Sequence, residues 1–141
     1  DLIEGFVKYI NGELRRELQK AVAGIKDRRD TERVGMLAFY EFLRQHRAIY
    51  RLVPEFEMID QRVGMWYYEQ IAQGYTQGLD RGIERGEIRD LPVVFLARAL
   101  MGLTHFIALK WIVWNPNPMA ELPKPLFKDV VEFVCTGLQP P

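Results

Sequence analysis

A single cysteine, Cys135, stands in 141 residues. That excludes an internal disulfide and any cysteine-based zinc site. Cys135 falls on an apolar helical face and reads as a small core residue rather than a nucleophile. There are only two histidines, His46 and His105. Neither has a second histidine or a suitably spaced acid or thiol, so a metal site has no support. Charge of neither sign is in excess: 19 Lys and Arg balance 19 Asp and Glu. Net charge therefore gives no reason to expect binding to nucleic acid or to anionic lipid. Strand-like alternation, internal repeats and low-complexity tracts are all missing. The glycines lie inside a helical pattern and follow no strand, so there is no phosphate-cradling loop. No catalytic constellation stands out. Glu57 and Asp60 are three apart and can share a helix face, but paired surface acids are commonplace. No cofactor is expected. The opening DLIEGFVKYI is already a helical pattern, with no initiator Met, signal peptide or targeting motif. The expectation is a segment of a longer protein.

What the sequence does have is one long apolar stretch, Asp90 to Trp114. From Val93 onward only Arg98, Thr104, His105 and Lys110 interrupt it. Asp90 stands where an N-cap would sit and Pro92 falls in the first turn. Asn115-Pro116 ends the pattern. A helix apolar nearly all round is covered on nearly all sides, which implies a central helix shared with a second subunit. Its length would suffice for a membrane span. However, a central Arg such as Arg98 costs roughly 2.5–3.5 kcal/mol on insertion scales. The chain as a whole has a mean hydropathy of −0.15 and is 27% charged. No membrane partner is expected.

The remaining pattern is helical throughout. Ile3, Val7, Ile10, Leu14, Leu18, Ala21 and Ile25 recur in steps of three and four, giving a long amphipathic helix over residues 2–25. Lys26 to Asp30 reads as a solvated connector, with Thr31 as the N-cap of a second helix running to His46. A short segment, Arg47 to Val53, ends at Pro54, and Glu55 to Ile59 adds a turn. His46 sits at a helix end, where the helix dipole favours a cation. A long helix covers Gln61 to Arg85. It carries Gly74, Gly78, Gly82 and Gly86 at intervals of four, a costly arrangement that implies either another helix packed closely along that stripe or one or two glycines simply tolerated at the exposed end. Gly86 has the position of a left-handed C-terminal residue. A proline-rich connector, Asn115 to Pro125, precedes a last helix from Leu126 to Thr136, capped by Gly137. The expected fold is all-α, with six to seven helices in one domain spanning 1–141.

Aromatic residues from four helical segments gather between Phe39 and Trp114. Such stripes are usually core. Rings with hydroxyl or N–H groups to satisfy also suit an apolar pocket with a few polar fixers. His105 is either a hydrogen-bonded core residue or a polar group facing such a pocket.

At residues 79–103, LDRGIERGEIRDLPVVFLARALMGL, the sequence resembles the C-terminal regulatory domain of TetR-family transcriptional repressors. The shared features are Gly82-Ile83 and Gly86-Glu87-Ile88-Arg89 closing one long helix, then Met101-Gly102-Leu103 within the next. The terminal DVVEFVCTGL resembles the family's last helix, and DLIEGFV the helix that leaves the DNA-reading head. The resemblance implies a homodimer in which the last two helices of each subunit pair as a four-helix bundle. Carried onto this chain, it puts Ile107, Trp111, Trp114, Phe127, Val130, Val131 and Val134 at the dimer interface. It implies an effector pocket lined by Phe39, Leu43, Trp66, Tyr67, Ile71, Met101 and His105, with Arg47 or Arg98 holding an acidic group. It implies no enzymatic activity, a cytoplasmic protein, and a hydrophobic or aromatic effector such as an acyl-CoA or an aromatic acid. DNA would be met only through a helix-turn-helix domain outside these residues. Two rival classes remain open at this stage. One is a helical homodimeric interaction module with no ligand. The other is a small helical enzyme using His105 with Glu57, Asp60 or Arg98.

Overall fold

A computed structural model describes residues 1–141. It contains seven α-helices and no strand: α1 (Leu2–Val22), α2 (Arg28–Gln45), α3 (Arg47–Tyr50), α4 (Phe56–Ile59), α5 (Gln61–Glu84), α6 (Val93–Ala108) and α7 (Lys124–Leu138). A 3-10 turn over Val53–Glu55 leads into α4, and a π turn over Leu109–Val113 prolongs α6. The all-α architecture is the one the helical periodicity predicts.

Capping decides where each helix starts, and three expectations need correcting there. The N-cap of α2 is Asp27, not Thr31. Asp27 takes an extended conformation and its carboxylate accepts from the N–H groups of Arg29 and Asp30. Thr31 lies inside the first turn, its hydroxyl donating to the Asp27 carbonyl at 2.9 Å. Asp90 does not cap α6. The N-cap position belongs to Pro92, which leaves Asp90 two residues upstream, too far to reach the free N–H groups. Gly137 does not cap α7. It lies within the last turn, and the helix closes at Leu138, whose side chain is buried.

Other ends follow the sequence. α5 starts at Asp60, whose carboxylate accepts from Arg62 N–H at 3.0 Å. It stops in a Schellman arrangement: Gly86 N–H bonds the Ile83 carbonyl at 3.0 Å and Glu87 N–H bonds the Gly82 carbonyl at 2.9 Å. Gly86 has φ +70°, the left-handed geometry its position predicts. His46 ends α2, with Nδ1 2.9 Å from the Phe42 carbonyl and its ring stacked on Phe42. Pro54 sits in the first turn of the 3-10 segment rather than terminating a helix.

One core cluster joins every long helix. It includes Val7 and Ile10 of α1, Met36, Tyr40 and Leu43 of α2, Tyr67 and Leu79 of α5, Leu96 and Leu100 of α6, and Val130 and Val134 of α7. The stretch Val93–Val113, mean hydropathy 1.6, is long and apolar enough to cross a membrane. Here one face of it, Leu96, Ala97, Leu100, Thr104 and Ala108, is built into this core. The opposite face is not covered by the chain's own helices. Phe95 is 58% exposed, Phe106 65% and Trp114 64%. The end of α7 is tied to the α5–α6 turn by Arg89 N–H, which donates to the Leu138 carbonyl at 2.8 Å.

Candidate ligand cavity

α5 changes character halfway along. Its first half carries Trp66, Tyr67 and Tyr68; its second carries Gly74, Gly78 and Gly82. Against the first half, α1 packs closely enough for the Asn11 side-chain amide to donate to the Tyr67 carbonyl at 3.4 Å. Beyond it the missing side chains leave space. A cavity of about 750 Å³ opens between the C-terminal half of α1, the N-terminal half of α2, α5 and α6. That is within the range of small-molecule sites.

The inner end of the cavity is aromatic. Phe39 meets Tyr50 edge-on at 5.8 Å between ring centroids. His105 lies 6.4 Å from Tyr50, 6.1 Å from Tyr68 and 5.6 Å from Phe106. Burial lowers the His105 pKa below its ordinary 6.5, so the ring is a neutral imidazole at pH 7 with one N–H to give and one nitrogen to accept. Behind this wall the Tyr67 hydroxyl donates to that of Tyr50 at 3.4 Å. Burial raises both phenols well above the usual value of 10. They are neutral hydrogen-bonding groups and not bases.

The wall formed by the start of α2 is charged. Glu32 is 3% exposed and pairs with Arg28 one turn earlier. Desolvation raises the Glu32 pKa above 4.5, and the Arg28 charge and hydrogen bond pull it back. Arg28 also passes 5.9 Å from the Tyr75 ring. Its backbone N–H donates to Glu87 Oε2 at 2.8 Å, so a carboxylate occupies the N-terminal end of α2. The glycine stripe makes room for this arginine, not for a second helix. The Arg28 guanidinium lies against Gly78, and a Cβ at Gly82 would fall 3.0 Å from Arg28 Cβ and Cγ. Gly74 faces open space in the cavity.

Five of the residues expected around an effector are brought together here: Phe39, Ile71, Arg98, Met101 and His105 all line the cavity. Four lie elsewhere. Leu43 and Tyr67 are fully buried in the core. Trp66 packs on the core away from the cavity, with Lys8 Nζ 6.0 Å from its ring. Arg47 donates to the carbonyls of Asn115 and Asn117, clamping the connector after α6. Arg98 pairs with Glu69. Sequence reasoning misses Arg28 and Glu32; Tyr68 and Tyr75, which also line the cavity, belong to the aromatic group it singles out but not to its named pocket residues. A signal for Glu32 existed: it precedes Met36, Tyr40 and Leu43 at steps of four, four and three, an acid on the inward face of α2. Glu57 and Asp60 do not converge, since Asp60 caps α5.

The expected interface residues also divide. Val130 is 7% exposed and Val134 4%; both turn inward into their own core and are not free to meet a partner. Ile107, Trp111, Phe127 and Val131 are half-buried, and Trp114 is exposed. Exposed apolar side chains that the sequence reading omitted include Phe95, Phe106 and Phe133.

No family model matches the sequence, and no curated protein matches it. A solved structure from Syntrophomonas wolfei, described as a TetR-family transcriptional regulator, is similar in fold. It has a TM-score of 0.72 at 15% identity, and the match covers 96% of this chain and 68% of that one. At that identity the likeness establishes architecture: the chain has a TetR-like all-α fold.

Proposed function

We propose that residues 1–141 form the effector-binding and dimerisation domain of a TetR-like transcriptional regulator, with DNA contacted by a part of the protein outside these residues. The observation that carries this reading is the 750 Å³ aromatic cavity within a TetR-like fold. Its inner end suits an apolar or aromatic body, and neutral His105 supplies a directional hydrogen bond beside it. A ligand favouring one arrangement of α1, α2, α5 and α6 would shift the population of conformers, and α1 would carry that change onward. The exposed apolar face of α6, with Phe133 of α7, supports pairing with a second copy. This reading makes the protein a cytoplasmic binder and not an enzyme.

Native mass spectrometry of the purified protein, followed by the same sample denatured, tests this directly. The expected species is a dimer of 16.5 kDa chains. Bound effector adds a few hundred daltons that vanish on denaturation. A monomer at micromolar concentration removes the interface. A dimer that carries nothing, and whose Tm no apolar acid or alcohol raises, makes the fold an interaction module instead.

A further inference from the structure

The cavity of this electrically balanced protein is not itself balanced. Six cationic side chains line it, Arg15, Lys26, Arg28, Arg81, Arg85 and Arg98, against two acidic ones, Glu32 and Glu87. Four of the six are already engaged. Arg28 pairs with Glu32 and Arg98 with Glu69. Arg85 Nη1 stands 4.0 Å from Glu87 Oε1, and Arg15 donates to the Gln70 side chain. Lys26 and Arg81 remain, both exposed and both without a carboxylate within ion-pair distance.

These two lie at the same end. Lys26 is two residues before Arg28, whose side chain crosses α5 at Gly78 and Gly82. Arg81 stands between those glycines in sequence. Arg85 and Glu87 are joined to the same junction through the Arg28 N–H bond. Among the side chains that line the cavity, those from the α1–α2 turn and the last turns of α5 are therefore mainly cationic: Lys26, Arg28, Arg81 and Arg85 against Glu32 and Glu87. The inner end, at Phe39, Tyr68, Ile71, Met101 and His105, is apolar and aromatic.

Resting on the effector-binding reading above, we infer that the ligand is an amphipathic organic anion. Its carboxylate or phosphate lies at the rim between Lys26 and Arg81, and its apolar body points inward to the aromatic end. Arg47 and Arg98, the cations that the sequence alone suggested, are held by backbone carbonyls and by Glu69 instead.

The test compares matched probes by calorimetry on the 141-residue protein: decanoate against 1-decanol, and 2-naphthoate against 2-naphthol. Each acid is expected to bind roughly tenfold more tightly than its alcohol, the effect of two partly solvated charges of modest worth each. That advantage should shrink as salt is raised. The double variant Lys26→Gln/Arg81→Gln should abolish the preference and leave the alcohols' affinity unchanged. Arg89→Gln/Lys128→Gln, exposed and off the cavity, should change nothing. Both altered positions are exposed, so folding is retained and circular dichroism verifies it. Acids and alcohols binding equally, with no effect of the double variant, would overturn the anion assignment and leave the effector-binding reading intact. Failure of all four probes to bind would count against both.

Discussion

The two halves of α5 solve the same packing problem in opposite ways. Residues 63–72 present Val63, Tyr67 and Ala72 to the core and close it completely, with Tyr67 fully buried. Phe6, Phe56, Tyr67 and Tyr68 follow one another edge to face at 6.3, 5.8 and 5.4 Å. Residues 74–82 send only Leu79 into the core, and Gly74, Gly78 and Gly82 line the cavity beside it. The closed half also uses a glycine, Gly64, but for contact: a Cβ there would lie 2.6 Å from the backbone of Glu57. The open half uses glycine for contact with the Arg28 side chain at Gly78 and Gly82, and for absence only at Gly74, whose Cβ would meet nothing. Identical residues on one helix thus have different physical roles, set by what stands opposite. The closed half fixes α4 and α5 rigidly, and the open half leaves room for something the chain does not supply.

Substituting the contact glycine should give the largest effect. In Gly64→Ala the new methyl meets backbone atoms of α4 and not a flexible side-chain end, so α4 must move. Overpacking of this kind costs about 1–3 kcal/mol, and the gain in helix propensity of about 1 kcal/mol recovers only part of it. A clash with backbone lies toward the upper end of that range, so a net loss of roughly 1–2 kcal/mol, or about 3–6 °C in Tm, is expected from thermal unfolding. An unchanged or higher Tm would mean that α4 is not held where the structure puts it.

A smaller effect separates the charged wall from the aromatic one. Glu32 has a native pKa raised by burial, with Arg28 only partly compensating. The native state therefore holds this proton more tightly than the unfolded state. Its stability contribution is complete below the ordinary value of 4.5 and is lost as pH rises through the raised native value. Glu32→Gln removes that dependence. The wild-type-minus-variant difference in unfolding free energy, followed from pH 4 to 8, should fall with rising pH. A difference that grows with pH would show that Arg28 dominates and that Glu32 behaves as an ordinary salt-bridged carboxylate.

Which of these features the sequence made legible follows from their range. Periodicity located all five long helices, because an amphipathic stripe repeats many times along each. The Gly86 stop was readable because φ +70° is a local demand. Helix starts were less so. Asp27, Thr31 and Asp90 are all competent caps, and only the surrounding packing selects among them. At the cavity, Phe39, Ile71, Arg98, Met101 and His105 come from positions where helical phase and aromatic content point inward together. Leu43 and Tyr67 share that phase but lie one layer deeper, in the core. Arg47 was misassigned because its partners, the Asn115 and Asn117 carbonyls, are about seventy residues away and no local pattern announces them. Val130 and Val134 turn inward because α7 is amphipathic toward its own α2; exposed apolar surface on the last two long helices includes Phe95, Phe106 and Phe133.

The smallest predicted change bears most directly on the open half. Gly74 has nothing near the place its Cβ would occupy, is exposed and lines the cavity. If the surrounding space is genuinely unfilled by protein, Gly74→Ala meets no obstacle and gains helix propensity of about 0.5–1 kcal/mol. Tm should rise by roughly 2–3 °C, the opposite sign to Gly64→Ala on the same helix. The added methyl also intrudes on the space available to a ligand, so affinity for 2-naphthoate should weaken while stability improves. A variant more stable and weaker in binding would mark the glycine as kept for the cavity at a cost to the helix. A destabilised variant would mean that α1 and α5 close on each other in solution, and the contrast between the two halves of α5 would disappear.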